Sequence, residues 1–134
     1  MEYEILPHTA DLRIRACGAS LPELFRNALR GMAAVLQPEA LARPSEADRV
    51  VNITAPDTTV LLVDFLSEAL ALAHIHHEVY VDAQFHELSP GTVHATLRGV
   101  AVSGLAADVK AVTYHAAEVL RTERGYEVTI VYDI

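Results

Sequence analysis

Leu12-Arg13-Ile14-Arg15-Ala16-Cys17-Gly18-Ala19-Ser20-Leu21-Pro22-Glu23-Leu24-Phe25 changes its hydrophobic period part-way along. Up to Ala16, apolar and basic residues alternate, the period of a strand with one buried face. Gly18 ends that run. Ser20-Leu21-Pro22-Glu23 has capping-box spacing, in which a serine oxygen and a Glu side chain can satisfy the first free amides of a helix. Leu21, Leu24, Phe25, Ala28, Leu29 and Met32 then fall on one helical face, to about Leu36. A strand that gives way at once to an amphipathic helix is the first sign of a mixed fold.

Working outward, Tyr3 to Leu6 is a short strand and Pro38 to Ala47 reads as a loop. Arg49 to Ala55 is a strand with Val51 and Ile53 on one face. Asp57 can cap a second helix to about His77, with Leu61, Leu62, Phe65, Leu66, Ala69 and Leu72 as its buried stripe. Val79 to Leu88 and Thr92 to Val102 read as strands joined by the Ser89-Pro90-Gly91 turn, which makes His86 and His94 cross-strand neighbours. Val109 to Leu120 and Tyr126 to Ile134 form a further hairpin around Thr122-Glu123-Arg124-Gly125. The expected class is α+β: a two-layer sandwich of two amphipathic helices on a largely antiparallel or mixed sheet, as one domain over residues 1–134.

Composition bounds the function. The 134 residues are 51% hydrophobic and 21% charged, which predicts a folded globular chain. Aromatics are 6% with no Trp, so the core is aliphatic. The net charge of −8 lacks the Lys/Arg footprint of generic nucleic-acid binding. It favours a basic protein partner or a cation. The lone Cys17 excludes an intrachain disulfide, predicts a reducing cytoplasmic setting, and reads as a small packing residue. No signal peptide is visible, and the longest apolar region, Val60 to Ile75, is interrupted by Asp64 and Glu68, so no membrane span is expected.

Four stretches carry candidate chemistry. In Pro7-His8-Thr9-Ala10-Asp11, Asp11 sits where a loop enters a strand; it either steadies the turn or presents a fixed carboxylate. In Tyr132-Asp133-Ile134, the Asp133 side chain and the Ile134 carboxylate repel unless a divalent cation or a Lys relieves them; otherwise this is an ordinary strand end. In Val109-Lys110-Ala111-Val112-Thr113-Tyr114-His115, strand alternation puts Lys110, Val112 and Tyr114 on one face and His115 on the other, and Lys110 can equally be a solvated lysine. His74-Ile75-His76-His77 closes the second helix, where imidazoles suit the helix dipole better than a metal. There is no phosphate-binding glycine loop, CxxC pair or nucleophile elbow.

With His8-Thr9-Ala10-Asp11, Val109 to His115 and the terminal Asp133-Ile134, and with Leu61-Leu62-Val63-Asp64-Phe65-Leu66, the chain resembles the archease family over essentially its whole length. The resemblance implies a two-layer α+β fold and a role as non-catalytic activator of the GTP-dependent, manganese-containing RNA-splicing ligase in tRNA splicing or RNA repair. That ligase joins a 3′-phosphate or 2′,3′-cyclic phosphate end to a 5′-hydroxyl end through a guanylylated histidine. The family promotes the guanylylation step and multiple turnover. By the same resemblance the metal ligands are Asp11, Asp133 and the Ile134 carboxylate, and the functional lysine is Lys110. Three oxygen ligands suit a hard cation, Ca²⁺ in a crystal and Mg²⁺ or Mn²⁺ in the cell.

The departures are a short Gly99–Asp108 segment, Asp108 where a Glu is usual, and the His74–His77 cluster. They bear on the partner surface more than on the metal. Two other classes compete: a chaperone-like binding module for other RNA-processing proteins, and a small metal-dependent hydrolase using Asp11, Asp133 and His115.

Overall fold

In the computed structural model, described for residues 2–6 and 11–134, eight strands, two α-helices and one 3₁₀ turn alternate along the chain. They are β1 (Tyr3–Leu6), β2 (Leu12–Gly18), α1 (Leu21–Leu36), a 3₁₀ turn (Pro38–Ala42), β3 (Ala47–Thr54), α2 (Thr58–His76), β4 (Glu78–Ser89), β5 (Thr92–Ala101), β6 (Ala111–Val112), β7 (Leu120–Thr122) and β8 (Gly125–Asp133). The α+β class holds, and the strands divide between two antiparallel sheets. The first runs β1-β2-β8-β6, with β7 also on β8; the second runs β3-β5-β4.

Both helices start where their caps predict. Ser20 Oγ accepts the Glu23 amide at 3.3 Å and Asp57 Oδ1 accepts the Val60 amide at 2.9 Å. The α1 stripe is buried as expected apart from half-buried Leu21. α1 lies across both sheets, against β2 and β4, with Gly31 close enough to Ile14 and Tyr3 that a Cβ would touch both.

α2 buries more than one stripe, adding Val63, Leu70 and Ala73 while leaving the predicted Leu72 half-buried, because it meets β3, β4, β5 and β6. By length and a mean hydropathy of 1.5 over 18 residues α2 could cross a membrane, contrary to the reading of Val60–Ile75. Here Leu61, Leu62, Phe65 and Leu66 are fully buried against the rest of the chain, so its apolarity is that of a core helix. All three phenylalanines meet at this junction: Phe65 lies 5.5 Å from Phe25 and 5.9 Å from Phe85, ring centre to ring centre. Residues of both sheets and both helices join one hydrophobic cluster.

Two charged networks fix the second sheet. A bulge in β4 between Tyr80 and Asp82 leaves the Val81 carbonyl off the ladder, and the Arg30 guanidinium donates to it at 2.7 Å. Arg26 donates to Asp82 at 2.6 Å beside it. At the start of β4, Glu78 is buried and accepts two hydrogen bonds from Arg49, each 2.9 Å, and one from the Tyr80 hydroxyl at 3.0 Å. The paired Arg49 bonds hold the Glu78 carboxyl below its usual range, while burial pushes the Tyr80 phenol up.

The strand expected over Val109 to Leu120 is interrupted. Only Ala111–Val112 and Leu120–Thr122 pair with β8, and Thr113–Val119 leaves the sheet between them. The amide and hydroxyl of Thr113 both donate to the Val131 carbonyl, at 3.0 and 2.9 Å, which ends the ladder. Ala116 takes a left-handed conformation at φ 55°, and Thr59 of α2 accepts the Val119 amide at 3.0 Å. Tertiary partners from α2 thus replace the strand ladder.

Candidate functional site

β8 is an interior strand of the first sheet, and its end decides where the candidate residues meet. Leu12 pairs with Tyr132 and Arg13 with Val131, so Asp11 falls level with Asp133 one strand away, about 4.8 Å in the sheet plane. On the other side Ala111 pairs with Asp133, and the Lys110 amide donates to the Asp133 carbonyl at 2.8 Å. The backbone register therefore brings Asp11, Asp133, Ile134 and Lys110 to one end of one sheet.

Leu12, Val112 and Tyr132 turn into the core there, while Asp11 and Asp133 fall on the opposite face. Asp133, Ile134 and Lys110 are exposed. The Asp11 carboxylate accepts from Arg13 Nε at 3.3 Å, an open surface pair that competes weakly with another cation. Among the described residues no group of three or more His, Cys, Asp or Glu side chains is gathered to hold a metal. Pro7, His8, Thr9 and Ala10 lie outside the described residues, so Asp11 alone represents its motif.

The face expected for Lys110, Val112 and Tyr114 does not form. The paired segment is two residues long, so alternation does not reach past it; Val112 is buried while Lys110 and Tyr114 are exposed. His115 sits in the turn that leads away from Asp133, its amide donating to Thr113 Oγ1 at 3.2 Å. The register, which ends at Val112, does not bring it level with the carboxylates.

Sequence reasoning missed what holds this segment. The Tyr114 hydroxyl donates to Asp64 of α2, which raises the phenol above its ordinary pKa. His74 Nε2 lies 3.2 Å from the Val109 carbonyl, so a member of the histidine cluster pins the approach to Lys110. His77 caps α2 with left-handed backbone at φ 55°. A signal for the first contact existed, since Asp64 interrupts the apolar run from Val60 to Leu66. Tyr114 forms the ridge between two shallow grooves of about 390 and 300 Å³, one along Asp57–Val60 and one along Asp64, Ser67 and Glu68. A larger groove, about 610 Å³, lies at the opposite end of the first sheet, by Arg124 and Tyr126.

The Archease protein family profile matches residues 3–134. Protein archease of Methanosarcina mazei is 33% identical over 99% of this chain and 96% of its own length. Protein archease of Saccharolobus solfataricus is 33% identical over 99% of both chains. Among solved structures, Protein 1598 of Methanobacterium thermoautotrophicum is similar with a TM-score of 0.77 at 26% identity, covering 98% of each chain. An archease from Thermotoga maritima, described as a possible chaperone, shares the fold with a TM-score of 0.63 at 17% identity, over 96% of this chain and 94% of that one. With the family profile spanning nearly every residue, two relatives a third identical over their full length and the same fold in solved relatives, the chain belongs to the archease family.

Proposed function

We propose that this chain is a non-catalytic accessory protein that activates the GTP-dependent RNA-splicing or RNA-repair ligase in the cytoplasm, by promoting its guanylylation and multiple turnover. The observation that carries this reading is the register at the end of β8, which sets Asp11, Asp133, Ile134 and Lys110 on one exposed sheet end. Family membership supports it.

The donors there are hard carboxylate oxygens and their positions are open to solvent, so they fit a Ca²⁺, Mg²⁺ or Mn²⁺ ion in chemistry. Asp11, Asp133 and the Ile134 carboxylate would hold it, and a bound ion would supply positive charge at an otherwise acidic tip. Lys110 would add a mobile cation beside it for phosphate or carboxylate groups of the partner. The net charge of −8 favours docking on a basic protein surface over binding RNA.

The test is multiple-turnover ligation by purified ligase with GTP and Mn²⁺. Wild-type protein should raise the number of turnovers per ligase, and Lys110→Ala should abolish most of that gain while melting normally. Exposed substitutions of this kind shift stability by less than about 0.5 kcal/mol. Full activation by Lys110→Ala would remove the lysine from the functional set, and no activation by wild type would sink the reading.

A chaperone-like module for RNA-processing proteins is the second reading, favoured by the description of the Thermotoga maritima protein. It predicts more soluble active ligase during refolding and no change in turnover of ligase already folded.

A further inference from the structure

The second sheet carries a pair of histidines that the proposed function leaves unused. Val93, Ala95 and Leu97 of β5 are buried, so Thr92, His94, Thr96 and Arg98 occupy the other, solvent-facing side. A second irregularity in β4 shifts the register from Phe85–Ala95 to Glu87–His94 and leaves His86 as the extra residue. A bulge of this kind sets two side chains of one strand against one of its neighbour and re-aims them. The rings of His86 and His94 end 5.0 Å apart, centre to centre, with their planes inclined by 51°.

That spacing has chemical meaning. Two imidazoles bound to one tetrahedral ion through nitrogens at about 2.0–2.1 Å have ring centres about 5 Å apart. The second observation is the partner of His86: its Nε2 lies 2.8 Å from Thr96 Oγ1. With Nε2–H donating to that hydroxyl, the lone pair is on Nδ1, and an oxygen acceptor on the far nitrogen is the usual orienting partner of a metal-bound imidazole.

We propose that His86 and His94 form a two-imidazole site for a borderline divalent transition ion such as Cu²⁺, Ni²⁺ or Zn²⁺, with water completing the coordination shell. Thr96 is a positioning residue: its hydroxyl orients the His86 ring and accepts from Nε2–H in the tautomer that leaves Nδ1 for the ion. No third His, Cys, Asp or Glu joins the pair among the described residues, so the ion keeps open positions. Nitrogen donors separate this site from the carboxylates at the end of β8, which suit hard cations. It lies on the other sheet and does not rest on the proposed function.

The test is calorimetric titration of the full chain with Ni²⁺ in saturating Ca²⁺, which occupies carboxylate sites. Wild type should show one site that His86→Gln and His94→Gln each weaken at least about tenfold, and that Thr96→Val weakens by about tenfold. A His74→Gln, His76→Gln, His77→Gln variant should keep it. With Cu²⁺, electron paramagnetic resonance should show hyperfine coupling to two imidazole nitrogens in wild type and to one in each single variant. The variants of exposed His86 and half-buried His94 should both remain folded, checked by thermal melting. Unchanged Ni²⁺ affinity and unchanged nitrogen coupling in both single variants would overturn the proposal, as would loss of the site only in the triple variant.

Discussion

Asp133 shows how little a side chain's role depends on its immediate neighbours in sequence. It follows three buried residues, Ile130, Val131 and Tyr132, and is itself exposed, between the level of Asp11 on one strand and Ala111 on the other. If its carboxylate and that of Ile134 share a cation, Asp133→Asn should weaken Ca²⁺ binding by tenfold or more, about 1.4 kcal/mol, with an unchanged melting temperature in metal-free buffer. A C-terminal tag should act similarly, because it turns the Ile134 carboxylate into a neutral amide. Calorimetric Ca²⁺ titration of the variant and of N- and C-terminally tagged forms measures both. Equal affinity throughout would exclude these oxygens as ligands. The candidate residues were legible in the sequence because each is the polar exception in an apolar strand or at a strand's entry. The hairpin reading already puts Lys110 near Asp133, but the level of Asp11 comes only from the resemblance, since it depends on the distant pairing of Leu12 with Tyr132.

At the scale of elements, local signals were read well and long-range ones were not. Ser20 and Asp57 cap their helices as their spacing implies, because a cap is settled within three residues. The division into two sheets was invisible, since an alternating strand does not name its partner. The break at Thr113–Val119 was invisible for a related reason: its alternation fits a strand, and Asp64 and Thr59 on α2 decide otherwise. The junction of β2, α1 and β8 gives the sharpest element-level test. Gly125 has φ +130°, and a Cβ there would stand 2.2 Å from the Gly18 carbonyl oxygen and 2.7 Å from the Ala19 Cα. Gly125→Ala should therefore cost at least about 1–3 kcal/mol in urea unfolding. Ala116→Gly, at φ 55° in an open turn, should be neutral or slightly stabilising by the same measure. Equal stability of Gly125→Ala and wild type would show that β8 can start elsewhere.

For the whole molecule, the pair of buried Glu78 and half-exposed Arg49 predicts the acid limb of stability. Arg49 holds the Glu78 carboxyl below its ordinary value, so the folded state binds that proton less readily than the unfolded chain. The contribution is complete above the unfolded carboxylate value, about pH 4.3, and is lost as pH falls through it towards the lower folded value. Glu78→Gln should melt several degrees below wild type at pH 7, and the gap should narrow steadily below about pH 4. A pH-independent gap in thermal melts would assign the loss to packing against Tyr80 rather than to charge. Net charge makes a second whole-molecule prediction. If an acidic surface docks on a basic ligase, half-saturation of activation should shift to higher protein concentration as salt rises from about 0.05 to 0.3 M, as the Debye length shortens. Salt-independent half-saturation would point to an apolar docking surface.

The placement of β8 has a consequence for synthesis in the cell. Residues 47–101 supply all of the second sheet and α2, one of the two helices packed on it, from neighbours in sequence, so that this part can assemble on a nascent chain. The first sheet cannot: among the described residues β6 and β7 pair only with β8, and β2 keeps one edge open until β8 arrives. A ribosome that stalls before Gly125 therefore presents an unpaired strand edge at β2, a template for other chains that Arg13 and Arg15 blunt. Closure of the sheet waits until the strand carrying Asp133 leaves the exit tunnel. The step that completes the fold is then also the step that assembles the acidic tip.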